Sequence, residues 1–183
     1  TLSLCDSADF RSLIKKGSAL IANTLEREGV IYGVTTGYGD SCTRAVPLDL
    51  VNELPLHLTR FHGCGLGAYL YLPQPRAVLS VRLASLSRGV SGVSSELLER
   101  LELLLEKDIL PVIPSEGSVG ASGDLTPLSY VAGVISGERD VWYQGERRST
   151  QDVYNELNIQ AHTLRPKEGL ALMNGTAVMT ALG

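Results

Sequence analysis

The stretch Gly117-Ser118-Val119-Gly120-Ala121-Ser122-Gly123-Asp124-Leu125-Thr126-Pro127-Leu128 constrains this chain more than any other. Its glycines permit backbone angles closed to other residues, so the first half reads as a loop. The second half opens a helix: Asp124 can cap it, and Pro127 is tolerated in a first turn. The chain must therefore accommodate a permissive loop that feeds directly into an apolar helix, predicted over 125–135. On its own, such a run is equally well explained as an ordinary turn.

Around it the pattern is mostly helical. A capped helix is predicted over 7–16, with Phe10, Leu13 and Ile14 as its stripe, broken at Gly17 and resumed over 19–28. Residues 30–34, Val-Ile-Tyr-Gly-Val, are β-rich and too short for a helix. Helical spacing follows over 47–62, where Pro55 is expected to kink or split the run, and again over 75–88. Ser94-Ser95-Glu96 caps a helix over 96–107 whose leucines form one wide stripe. Residues 109–113 read as an extended connector and 140–148 as a hairpin turning at Gln144-Gly145-Glu146. Residues 151–157 read as a helix or a single turn. Helical character returns over 167–173, is interrupted at Asn174-Gly175-Thr176, and resumes to Leu182. The expected fold class is mainly α with short β pieces near the glycine loops. The final apolar run needs something to pack on, so further chain, or another chain, is expected beyond Gly183.

Composition removes several function classes. The net charge of −4 is mild and gives no reason to expect nucleic acid or an anionic membrane as partner. No apolar run approaches a membrane span. Cys5, Cys42 and Cys64 are odd in number and not closely paired, which argues for free thiols in a reducing, cytoplasmic compartment. His57, His62 and His162 lack metal-ligand spacing, so no metal is expected.

The chemistry points to Ala121-Ser122-Gly123. In a tight turn the Gly123 amide nitrogen can attack the Ala121 carbonyl carbon and close a five-membered ring. Loss of water, then of the Ser122 hydroxyl, leaves an imidazolone bearing an exocyclic methylene. This is an electrophile that ordinary side chains do not supply. Glycine provides an unhindered nitrogen, alanine a small flank and serine a β leaving group.

The longer word around this tripeptide resembles the prosthetic-group segment of the aromatic amino acid ammonia-lyase and aminomutase family, of the histidine ammonia-lyase type. Two further matches fall in order. Tyr32-Gly33-Val34-Thr35-Thr36-Gly37-Tyr38-Gly39 is similar to the family's catalytic tyrosine loop, and Lys167-Glu168-Gly169-Leu170-Ala171-Leu172-Met173-Asn174-Gly175-Thr176 to its substrate-binding asparagine segment. The resemblance implies a 4-methylidene-imidazol-5-one (MIO) group formed from Ala121-Ser122-Gly123. It implies Tyr32 as the base, Gly39 beside the substrate, Asn174 near the substrate carboxylate or the prosthetic group, and Phe61-His62 lining the side-chain pocket. A phenol titrates near pH ~10 when unperturbed, so such a base needs assistance at neutral pH. Each of these residues, taken alone, has an ordinary structural explanation: a satisfied strand tyrosine, a turn glycine, a core Phe and a helix-end His, a helix-stop Asn.

The pairing of Phe61 with His62 departs from the family's simple cases, which leaves histidine and tyrosine both open as substrates. Family members are longer homotetramers whose sites draw residues from three subunits. The resemblance therefore implies that residues 1–183 correspond to the prosthetic-group domain and the start of a long helical bundle, with the C-terminal helical part lying outside this chain. The implied activity is elimination of ammonia from an aromatic L-amino acid to an α,β-unsaturated acid. A 2,3-aminomutase using the same groups is one alternative, and a non-catalytic helical fragment or assembly module is another.

Overall fold

The structure is a computed structural model that describes residues 3–47, 49–120 and 123–183. Its architecture is mainly α, as the sequence pattern predicts. Helix α1 (Ala8–Glu28) is capped by Ser7, whose hydroxyl accepts from the Phe10 amide, and is stopped by Gly29 in the left-handed region. It is continuous where a break at Gly17 is expected. A Cβ on Gly17 would stand 2.5 Å from the Gly89 carbonyl oxygen, so glycine is there for close packing against the turn at Gly89 and not as a helix stop.

The expected strand over 30–34 is instead a turn. The Val34 and Thr35 amides both donate to the Ile31 carbonyl at 3.0 Å, and a short 3-10 helix, Gly39–Thr43, follows. Helix α2 (Leu54–His62) is shorter than the predicted 47–62, because Pro55 lies in its first turn and starts it. Strand β1 (Leu66–Tyr69) then leads through a short turn to helix α3 (Gln74–Leu86), and Ser94 caps helix α4 (Ser95–Glu106).

Strands β2 (Leu110–Pro111) and β3 (Pro114–Glu116) precede the loop that leads into helix α5 (Leu125–Ile135). The hairpin β4 (Asp140–Tyr143) and β5 (Glu146–Ser149) turns at Gln144 and Gly145, both at positive φ, as a two-residue primed turn requires. Helices α6 (Thr150–Leu157), α7 (Glu168–Met173) and α8 (Ala177–Leu182) complete the chain. Two small antiparallel sheets result, β1 with β3 and β2-β4-β5, with Leu110 opposite Trp142 and Asp140 opposite Ser149.

Helix α5 is the hub. Every residue from Pro127 to its end is buried, and it packs on α2, α7 and α8. Helix α3 packs on α4 and α8. Leu97, Leu98, Leu101, Leu104 and Leu105 of α4 join Val78, Leu79, Leu83 and Leu86 of α3 in one core. Burial at ~1.5–3 kcal/mol per large apolar side chain makes this layer the main source of cohesion.

Candidate active site

The central loop is read through its flanks, because Ala121 and Ser122 lie outside the described residues. Gly123 has φ +130°, a region glycine favours, and a Cβ there would stand 2.8 Å from the Gly175 nitrogen. The loop is thus pressed against the Asn174-Gly175 turn. The Asp124 amide extends that contact by donating to the Gly175 carbonyl at 2.8 Å. The Asp124 carboxylate does not cap its own helix. One oxygen accepts from the Ser118 hydroxyl at 2.6 Å, and the other from the Val178 and Met179 amides at 2.9 and 3.1 Å. It therefore caps α8, where free amide hydrogens and the helix dipole favour an anion.

Asn174 ends α7, its amide donating to the Leu170 carbonyl at 2.8 Å. The entry to α7 is held by Glu168, which is 1% exposed. Its carboxylate accepts from the Ser94 amide and hydroxyl at 3.0 and 2.5 Å, from the Arg165 amide at 2.8 Å, and pairs with His162 Nε2 at 2.9 Å. Burial by itself would raise this carboxyl, but the His162, Ser94 and Arg165 hydrogen bonds outweigh it and hold it at about 2.

The tyrosine loop joins α7 from another direction. Its turn is closed by the Thr35 and Thr36 hydroxyls, which accept from the Ile31 and Gly33 amides. A Cβ on Gly33, at φ +67°, would meet the Tyr38 ring at 2.7 Å and the Leu170 side chain at 2.8 Å. Close approach to α7 therefore requires glycine here. Tyr32 is half exposed, and its hydroxyl oxygen accepts from the Gly39 amide at 3.0 Å. Tyr32 and Tyr38 meet edge to face at 6.4 Å. Tyr38 is the more buried of the two, and burial, with a smaller contribution from Tyr32, pushes its phenol up to about 12. Gly39 opens the 3-10 helix at φ +55° with open space where a side chain would stand.

Phe61 and His62 close the last turn of α2. His62 Nδ1 lies 3.0 Å from the Leu58 carbonyl, and the two rings meet edge to face at 5.1 Å. Phe61 is 80% exposed. Their link to the other candidates runs through their helix: α2 packs on α7, where Gly169 has no room for a Cβ against Pro55 and Thr59 touches Met173.

The structure therefore joins Tyr32 to Gly39 directly, Gly123 to the Asn174 turn directly, and both pairs to α7. Phe61 and His62 are brought in by element packing. Sequence reasoning missed Arg82, which is 4% exposed in the apolar stripe of α3 and donates to the Ala171 and Asn174 carbonyls. Burial lowers its guanidinium to about 10, with Asp124 partly opposing the fall. The available signal was a cation at a core position between Leu79 and Leu86. Beside Arg82 and Asn174 lies a cavity of about 490 Å³, also reached by Lys167 and Thr176. Lys167 donates to the Ser91 carbonyl at 2.6 Å, and burial lowers its ammonium.

The flanks fit a backbone-derived prosthetic group: position 123 demands glycine, and Ser118 and Asp124, which flank the tripeptide, are joined by a hydrogen bond. Among the described residues no cluster of His, Cys, Asp and Glu is arranged to hold a metal ion, and no helix is long and apolar enough to cross a membrane.

The sequence and the fold are shared with known proteins. Histidine ammonia-lyase of Staphylococcus aureus strain MRSA252 is 42% identical over 170 residues, covering 93% of this chain and 34% of the relative. The structure of tyrosine aminomutase from Streptomyces globisporus superposes with a TM-score of 0.88 at 39% identity, covering 96% of this chain and 33% of that one. Phenylalanine aminomutase of Pantoea agglomerans gives a TM-score of 0.89 at 32% identity, covering 96% and 34%. The chain spans about a third of the length of the relatives it matches. Residues 2–183 match the sequence profile of the aromatic amino acid lyases throughout, and the chain belongs to that family.

Proposed function

We propose that this chain carries the prosthetic-group part of an ammonia-lyase acting on an aromatic L-amino acid, histidine or tyrosine, in a cytoplasmic homotetramer whose C-terminal helical part completes the site. The observation that carries the reading is the seating of Gly123 and Asp124 on the Asn174-Gly175 turn, with the tyrosine loop packed on the same helix.

The group formed from Ala121, Ser122 and Gly123 supplies an electrophilic methylene carbon for the substrate amine. The residues of this chain do the rest. Tyr32, acting as its phenolate, takes a β-proton, and the Gly39 amide donates to the oxygen that receives it. The Cα–N bond breaks, its electron pair leaves with ammonia, and the former Cβ–H pair becomes the new double bond. Asn174 orients the substrate on its turn, and His62 offers a ring nitrogen to an imidazole or phenol while Phe61 fills the pocket.

Intact mass tests the reading. Soluble full-length protein is expected two waters lighter than its plain chain, and Ser122→Ala is expected to abolish elimination while leaving the thermal midpoint in place. A full unmodified mass in folded, full-length protein overturns it. The likeness to two aminomutases favours one second reading, return of ammonia to the β-carbon by the same groups. A β-amino acid product in place of an unsaturated acid selects it.

A further inference from the structure

Helix α3 carries Arg82 among Val78, Leu79, Leu83 and Leu86, all at most 1% exposed. A buried cation is expensive unless it is paired, and a leucine or methionine would fill such a position at lower cost. Among the described residues the hydrogen bonds of Arg82 go to two main-chain carbonyls, Ala171 and, at 3.1 Å, Asn174, and its Nε is left without a partner. Those carbonyls are the last of α7, where unpaired oxygens and the helix dipole supply partial negative charge. Both bonds leave from one guanidinium nitrogen, Nη2, which therefore ties the Ala171 and Asn174 carbonyls to a single point.

The contact also sets the depth of the turn. Gly175 lies so close to the Arg82 guanidinium that a Cβ would collide with it. The same Gly175 meets Gly123 through its nitrogen and Asp124 through its carbonyl oxygen. The Asn174-Gly175 turn is therefore held by Arg82 on one contact and by the central loop on another.

We propose that Arg82 is a positioning residue for Asn174: by binding the carbonyls of Ala171 and Asn174 it fixes the main chain from which the Asn174 amide projects and the distance of that turn from Gly123. This rests on the reading of Asn174 as a substrate-binding residue. Arg82 acts through the turn and does not itself take the substrate.

The test uses the full-length enzyme with Arg82→Met, Arg82→Lys, Asn174→Ala and the Arg82→Met/Asn174→Ala double variant. It measures kcat, KM, intact mass and thermal midpoint. Displacing a positioning group by about an ångström costs up to ~100-fold in rate, so Arg82→Met is expected to lower kcat by ~10- to 100-fold. KM stays within about 3-fold, and the mass still lacks two waters. Arg82→Lys falls between. In the Asn174→Ala background Arg82→Met adds less than about 3-fold, because the group it positions is gone.

Independent, multiplying losses in the double variant overturn the link while leaving the reading of Asn174 intact. A raised KM at unchanged kcat overturns it in favour of direct substrate binding, and activity that tracks the fraction of matured protein overturns it in favour of a role in cyclisation. An Asn174→Ala enzyme with unchanged kinetics removes the underlying reading and the proposal together. If Arg82→Met does not fold, Gly175→Ala presses on the same guanidinium from the turn. Unchanged kcat in folded Gly175→Ala and Arg82→Lys enzymes overturns the proposal.

Discussion

Glu168 gathers contacts from Ser94, His162 and Arg165 in a buried position, and it makes the molecule sensitive to acid. Its folded pKa of about 2 lies below the ~4.3 of a free glutamate. A depressed carboxylate contributes stability that is fully present above the unfolded value and is lost as pH falls through the folded one. Urea midpoints are therefore expected to decline from pH ~4.5 to pH ~2 by an amount equivalent to ~2–3 kcal/mol. Glu168→Gln is expected to flatten that decline and to lower stability at neutral pH by ~2–4 kcal/mol, since His162 and Ser94 lose the charge they face. Urea melts of both proteins across that range check it. Glu168 was visible in sequence only as part of a motif. Its partners Ser94 and His162 lie 74 and 6 residues away, and no local pattern announces such a cluster. Arg82 was equally silent in function, although its place in an apolar stripe was plain.

At the scale of elements, Gly17 tests which force rules a helix interior. Alanine there gains ~1 kcal/mol of helix propensity. The new methyl, however, faces the Gly89 carbonyl at 2.5 Å, and main chain yields less readily than a side-chain tip. Overpacking of this kind costs ~1–3 kcal/mol, so Gly17→Ala is expected to lower the thermal midpoint by a few degrees; a rise would show that the 89–92 turn simply moves aside. The same contact explains why α1 was misread as two helices: a glycine required by a distant neighbour looks like one required by a helix end. The turn at 31–35 was misread because β-branched residues there are closed by threonine hydroxyls instead of a partner strand. Strand β1 escaped because its partner β3 lies across α3 and α4. Features fixed by neighbouring residues are legible: a cap for α1 at Asp6 or Ser7, of which the structure uses Ser7, the Ser94 cap, the leucine stripe of α4, the turn at Gln144 and Gly145, and the stop at Asn174.

For the whole molecule, the tyrosine loop and helix α2 are drawn onto α7, which ends in the Asn174 turn, so the candidate site is a product of tertiary packing. The three motifs could be named from sequence because each is locally distinctive; their mutual placement could not, because it depends on Gly33, Gly169 and Gly123 lying flush against other segments. The clamp on Asp124 reaches residues 54 and 55 positions later in the chain. During synthesis, those residues leave the ribosome only after the whole interval between them has been translated. Backbone chemistry at Gly123 that depends on a compressed turn must wait for them. Chains ending at Thr176, which keep the Asn174-Gly175 turn but lack the residues that Asp124 caps, are expected to keep their full unmodified mass however long they are incubated, while completed protein loses two waters, and pulse-labelled intact mass measures the delay. Maturation before residue 178 is made would refute this. On the proposed reading, the Asp124 cap on α8 sets the earliest moment at which the central loop can mature: after the segment it caps has been made.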